Sequence, residues 1–171
     1  MDNADPFNSD IFHPGGRLRL ELFDETAITV LREMIGFTRS TNWDSVRTPH
    51  LFMGLLASPD DGIRNWGRRL RTDLPCLLEQ FCDLFYQNVD DPDAIIVLNR
   101  EFLSDNVIHL LRQAHHRCQQ GNRSKILPID LLICLFTTPG SIVAGCFEQI
   151  GMTAAKLTEL AVMAELTTSK S

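Results

Sequence analysis

The chain has 171 residues, 22 acidic against 16 basic side chains, a formal net charge of -6 and a pI near 5.3. That length accommodates one ordinary domain or two small ones around a real core, and it excludes two large domains. A composition 44% hydrophobic and 22% charged excludes a disordered chain, and the acidic balance argues against a general binder of nucleic acid or anionic membrane.

In chain order, residues 1–17 carry two prolines and Gly15-Gly16 and read as a flexible lead-in. Their acidic start lacks the greasy stretch of a signal peptide, and no run reaches the roughly 18 apolar residues a membrane span needs. A cytoplasmic location is therefore expected. Arg17 to Leu22 alternates polar with apolar residues and is a candidate strand. A first helix follows Asp24, a natural N-cap, with Ala27, Val30, Leu31, Met34 and Thr38 on one face. A short second helix follows Pro49, with Leu51, Phe52, Leu55 and Leu56 inward, and stops near Pro59. A third runs from about Asp61 to Leu70, and a fourth carries Leu74, Leu77, Leu78, Phe81, Leu84 and Phe85.

Residues 87–97 form an acidic, turn-rich linker that ends in the β-branched run Ala94-Ile95-Ile96-Val97-Leu98, a possible partner for the strand at Arg17. Beyond it the pattern repeats. Shifting the sequence by about 80 residues places Leu51-Phe52-x-x-Leu55-Leu56 on Leu131-Leu132-x-x-Leu135-Phe136, Pro59 on Pro139, and the first-helix face on Val107, Leu110, Leu111, Ala114 and Cys118. Ile63 falls on Val143, Trp66 on Cys146 and Leu77 on Leu157. A sustained apolar match of this kind marks an internal repeat. The expected architecture is all-α: two tandem four-helix repeats, 18–86 and 98–166, related by a pseudo-two-fold axis in one unit, with 167–171 a flexible tail.

The repeat resembles the double Clp N-terminal domain of the Clp family of ATP-driven unfoldases and disaggregases. The family pattern, roughly Val-x-x-Glu-His-Leu-Leu-x-Ala-Leu-Leu, is matched by Val46 to Leu56 and, in the second repeat, by Ile126 to Phe136, with the resemblance covering about Leu18 to Glu165. Pro49 replaces the family's usual Glu, and Asp130 replaces the histidine found at His50. The chain contains no Gly-x-x-x-x-Gly-Lys-Ser/Thr loop, so nothing in it cradles a nucleoside triphosphate in the P-loop manner. The resemblance implies a non-catalytic recognition module that binds unfolded substrate, an adaptor or a Clp-type ATPase or protease, without cofactor, nucleic acid or membrane. The alternatives are an accessory subunit stabilising a Clp-type ring and a Cys/His-dependent enzyme.

His109, His115, His116 and Cys118 share a helix, but no Cys-x-x-Cys or His-Glu-x-x-His spacing completes a zinc site, so no metal is expected. The five cysteines (Cys76, Cys82, Cys118, Cys134 and Cys146) sit among apolar residues and read as buried, reduced thiols. Arg64, Arg68, Arg69 and Arg71 form a basic run that is either a solvated face or a dock for an acidic partner; the second repeat has Ala144, Glu148, Gln149 and Gly151 there. Where one repeat is apolar and the other charged, burial is costly, so such positions should be exposed. Phe37 pairs with Arg117, Trp43 with Arg123 and Ile35 with His115. Phe37, Trp43 and Ile35 are thus expected to floor an exposed partner-binding groove, with Arg64 and Arg68 assisting toward an acidic partner. The plainer reading has Trp43 folded back on its own repeat.

Overall fold

A computed structural model describes residues 10–89 and 95–168. The described chain is helical, with eight α-helices: α1 (Glu25–Ser40), α2 (Thr48–Ala57), α3 (Asp61–Leu70), α4 (Leu74–Phe85), α5 (Asp105–Gln120), α6 (Pro128–Thr137), α7 (Ile142–Glu148) and α8 (Ala154–Thr168). Short 3-10 turns at Leu20–Leu22 and Arg100–Phe102 precede α1 and α5. The N-cap expectations hold in detail. Asp24 Oδ1 accepts the Ala27 amide at 2.8 Å and Ser104 Oγ accepts that of Val107 at 3.3 Å, satisfying amides that have no partner within the helix.

α2 and α6 form the centre. Nine of the ten residues in each are buried, as expected of helices apolar on every side. α1 and α4 pack on α2, α5 and α8 on α6, and α2 meets α6. Phe52, Trp66, Phe81, Phe136 and Phe147 meet between them with centroid separations of 4.9–6.5 Å. Gly54 allows the closest crossing: a Cβ there would lie 2.5 Å from the Val30 carbonyl oxygen.

The repeats exchange backbone contacts reciprocally. Val46 N–H donates to Phe102 O at 2.7 Å, and Ile126 N–H donates to Leu22 O at 2.7 Å; Asp24 N–H donates to Ile126 O, and Ser104 N–H to Val46 O, both at 3.0 Å. Each bond maps onto its counterpart by the 80-residue shift, and reciprocity of this kind is what a two-fold relation requires. Boundaries of α1 and α5, and of α2 and α6, coincide under the same shift. The third pair differs. α7 is shorter than the expected Ser141–Ile150: Ser141, which follows Gly140 at φ 74°, is its N-cap, and the helix ends at Glu148.

Three expectations need correction. Residues 10–17 are not a loose lead-in: Ile11 and Phe12 are buried in the core, and Asp10 takes a bidentate bond from Arg112 at 3.0 Å. Two apolar side chains held by an ion pair outweigh the local Pro/Gly signal. The strand pairing reduces to isolated contacts, Leu18 N–H to Leu98 O and a bridge between Arg17 and Asn99, because Leu20–Leu22 coils into a 3-10 turn. At the other end α8 runs to Thr168, where Thr167 accepts from Arg69 at 2.9 Å and Thr168 accepts from Asn65 at 3.3 Å. The parts of the two ends and linker at 1–9, 90–94 and 169–171 lie outside the described residues. Among those described, no single helix is long and apolar enough to cross a membrane; α6 and α7 meet that test only as a pair bent by 69°.

Candidate partner-binding surface

At the start of α2 and α6 the two repeats solve one problem with different chemistry. His50, fully buried, accepts the Arg47 amide on Nδ1 at 3.0 Å, and Asp130, also fully buried, accepts the Leu127 amide on Oδ2 at 2.8 Å. Both side chains reach back to cap the first turn. Asp130 thus keeps the backbone role of the histidine it replaces. With Nδ1 accepting, the proton of His50 sits on Nε2, which donates to Thr41 Oγ1 at 3.0 Å; Thr41 in turn donates to Phe37 O at 2.6 Å. Burial, and secondarily the charge of Arg47, push the imidazole down to about 4, so it is neutral at pH 7.

Asp130 carries a charge into the same place and gathers cations around it. Arg123 grips it with two bonds of 2.6 and 2.7 Å, and Arg117 adds one of 2.7 Å. Arg117 also forks onto Glu165 at 2.6 and 2.7 Å. Bonds to these carboxylates raise the pKa of both guanidiniums, overriding desolvation. The four side chains are neutral in sum, as a largely buried cluster must be.

That pairing corrects the exposure argument. Arg117 and Arg123 are charged at the positions of Phe37 and Trp43 because Asp130 draws them inward, not because the positions face open water. In the first repeat His50 is neutral, and aromatic and apolar groups fill the same space. Trp43 is half-buried, its ring 5.5 Å edge-on from His50 and its indole N–H donating to Phe85 O at 2.6 Å. Arg47 stacks over its outer face at 5.3 Å. Phe37 and Ile35 are half-buried and lean on the core. The signal that would have found this in the sequence is the joint change of three positions, 37, 43 and 50, and not each pair alone.

Arg64 and Arg68 lie elsewhere. Trp43 meets the C-terminal end of α4, whereas Arg64 and Arg68 line an open groove of about 380 Å³ at its N-terminal end, with Leu56, Pro59, Leu74 and Pro75. Twelve residues of α4, or about 18 Å at 1.5 Å each, separate the two sets. The structure does not bring the five residues together. Gly67 lets Leu74 close the groove floor, since a Cβ would lie 2.9 Å from it. Arg64 contacts Asp61 at 3.6 Å with both side chains exposed. Arg68 is exposed and forms no ion pair among the described residues.

The thiols are not uniformly buried: Cys76 is exposed, Cys82 and Cys146 are half-buried, and Cys118 and Cys134 are buried. Burial raises Cys82, Cys118 and Cys146, and pushes Cys134 up to about 12. A nucleophilic thiolate needs the opposite shift. Cys118 Sγ donates to Arg123 O at 3.2 Å. His109 and His116 are exposed and His115 half-buried. Among the described residues no three His, Cys, Asp or Glu side chains converge as metal ligands would.

No protein-family model and no curated protein matches the sequence. Solved structures do match. The N-terminal domain of the caseinolytic-protease-associated chaperone ClpD from Arabidopsis thaliana superposes with a TM-score of 0.65 at 20% identity, covering 86% of this chain and 97% of that one. The Hsp104 N-terminal domain from Candida albicans gives 0.66 at 13% identity, covering 82% and 89%. The N-terminal domain of the ClpV1 ATPase of an E. coli type VI secretion system (T6SS) gives 0.62 at 15%, covering 86% and 88%. Likeness at these identities establishes the fold, which is that of a Clp N-terminal domain.

Proposed function

We propose that this chain, with the fold of a Clp N-terminal domain, is a non-catalytic module that recognises protein segments. The observation that carries the reading is the groove of α2, α3 and α4. Its floor is apolar (Leu56, Leu74, Pro75), and its rim holds Arg64 and Arg68, the latter without an ion pair among the described residues. A peptide with apolar anchors and flanking carboxylates complements both features, because exposed Arg68 gains bidentate bonds to a carboxylate without giving up an ion pair among the described residues, and Arg64 gives up only an exposed 3.6 Å contact with Asp61. Nothing in the fold needs these charges, since Ala144 and Glu148 occupy the matching positions of the second repeat. The raised thiols speak for recognition over cysteine chemistry. The segment presented to the groove belongs to a substrate, an adaptor or a Clp-type assembly.

Fluorescence anisotropy with a labelled peptide carrying leucine and glutamate at helical spacing tests this. Binding to wild type should weaken at least tenfold in the Arg64→Glu, Arg68→Glu double variant and in high salt, with unchanged thermal unfolding. Equal binding by the variant, or none by wild type, contradicts the proposal.

A further inference from the structure

The strap formed by residues 10–13 is the outer limb of a hairpin. Arg19 N–H donates to Ile11 O and His13 N–H donates to Arg17 O, both at 2.8 Å. Among the described residues, no backbone bond joins the strap to anything outside this hairpin. Its side chains make the connection to the body. Asp10 takes the fork of Arg112 on α5 at 3.0 Å, with the two side chains 30% and 40% exposed. Ile11 and Phe12 are buried, and the guanidiniums of Arg100 and Arg112 lie over the Phe12 ring at 5.7 and 5.8 Å. The inner limb is tied down differently: Arg100 N–H donates to Gly16 O at 2.7 Å, and Leu18 N–H to Leu98 O at 3.2 Å. Between the limbs, His13, Pro14 and Gly15 are exposed, and Gly16 stands at φ 95°.

The repeat does not call for this apolar pair. Under the 80-residue shift, Asp91 and Pro92 stand at the positions of Ile11 and Phe12. On α1, Ile28 is half-buried where its counterpart Ile108 on α5 is buried. Arg32, the counterpart of Arg112, is exposed and forms no ion pair among the described residues.

We propose that the strap is the built-in occupant of a peptide-docking groove on α5, and that the groove's external ligand is an extended segment carrying a carboxylate followed by a large aliphatic and an aromatic residue. The strap itself displays the chemistry the groove accepts. An incoming segment gives its carboxylate to Arg112, its ring to the guanidiniums of Arg100 and Arg112, and its backbone to Arg19 N–H and Arg17 O, adding a strand to the inner limb. The tethered strap competes at an effective concentration on the order of millimolar, so the apparent affinity for an outside segment falls with the fraction of molecules whose groove is open. The strap is thus an autoinhibitory contact. Its groove shares no residue with the one at Arg64 and Arg68, so the proposal does not rest on that reading.

Two measurements on the full chain test it. In wild type, amide hydrogen exchange should show Arg19, bonded to the strap, about tenfold or more less protected than its neighbour Leu18 or Ile126, whose partners are elsewhere. Asp10→Lys changes a part-exposed side chain, removes the latch and repels Arg112; it should lower protection at Arg19 further and leave Ile126 unchanged. A fluorescein-labelled peptide repeating the sequence of residues 10–13 between glycines is then titrated to about 1 mM and read by anisotropy. It should bind the Asp10→Lys variant about tenfold or more tighter than wild type. Adding Arg112→Glu re-forms the ion pair with its sign reversed, and should restore protection at Arg19 and abolish peptide binding. Arg64→Glu with Arg68→Glu should change neither. Protection at Arg19 equal to that at Ile126 in wild type and variant, or a peptide that binds Asp10→Lys no better than wild type, would overturn the proposal. So would peptide binding that Arg64→Glu with Arg68→Glu removes, or a wild-type dimer in sedimentation that Asp10→Lys abolishes, since the groove would then be filled by the strap of a second copy.

Discussion

A single buried position, 50 in one repeat and 130 in the other, sets the chemistry of its surroundings. Asp130 holds two arginines, so Asp130→Ala should cost about 2–3 kcal/mol in urea unfolding. That is below the roughly 3–5 of a wholly buried broken pair because Arg117 and Arg123 retain some contact with water. His50→Asp alone buries an unpaired charge and should destabilise at least as much. Adding Phe37→Arg and Trp43→Arg to His50→Asp should recover part of the loss, a coupling that a thermodynamic cycle reads directly. Additive losses would show that the two clusters are not alternative fillings of one site. The histidine also makes stability depend on pH. Its folded pKa of about 4 lies below the unfolded 6.5, so the unfolded chain takes up a proton that the folded chain resists. Stability is then full above pH 6.5 and falls as pH drops toward 4, by about 3 kcal/mol from this group. His115, lowered mainly by burial, acts in the same direction. His50→Gln should flatten most of the slope between pH 6.5 and 4.5 in unfolding measurements.

Within elements, two backbone positions carry defined costs. Arg71 ends α3 in the left-handed region at φ 59°, and Gly151 stands at its counterpart at φ 90°. Arg71→Gly should therefore stabilise the protein by about 0.5–1 kcal/mol, read as a raised melting temperature. Gly54→Ala should do the reverse by about 1–3 kcal/mol, since the new methyl meets the backbone of α1 and not a side chain that can swing away. Helix existence and type were legible in the sequence because α1, α2, α5 and α6 each carry a sustained apolar pattern, and the repeat supplied every one of them twice. The buried segment at Ile11 and Phe12 was not legible: two apolar residues among Pro, Gly and Asp have no periodicity, and the ion pair that fixes them comes from Arg112, about one hundred residues away. The inward turn of Trp43 was one of two readings the sequence offered, and comparison of the repeats could not choose between them. Pairwise comparison of the repeats registers a charge but not the buried carboxylate that summons it.

For the whole molecule, the repeats share a frame and differ at their surfaces. Reciprocal bonds at Val46, Ile126, Leu22 and Phe102 tie the halves together, while the groove rimmed by Arg64 and Arg68 has Ala144 and Glu148 at the matching positions of the second repeat. The fold and the basic run at Arg64 and Arg68 were visible in the sequence; the separation of that run from Phe37 and Trp43 required the third dimension. Recognition of protein segments at Arg64 and Arg68 is tested by selecting a random peptide library on the immobilised protein, beside the Arg64→Glu, Arg68→Glu variant. Wild type should enrich sequences pairing large apolar residues with Asp or Glu, and the variant should not. Enrichment that the variant preserves, or none above bare matrix, would contradict it.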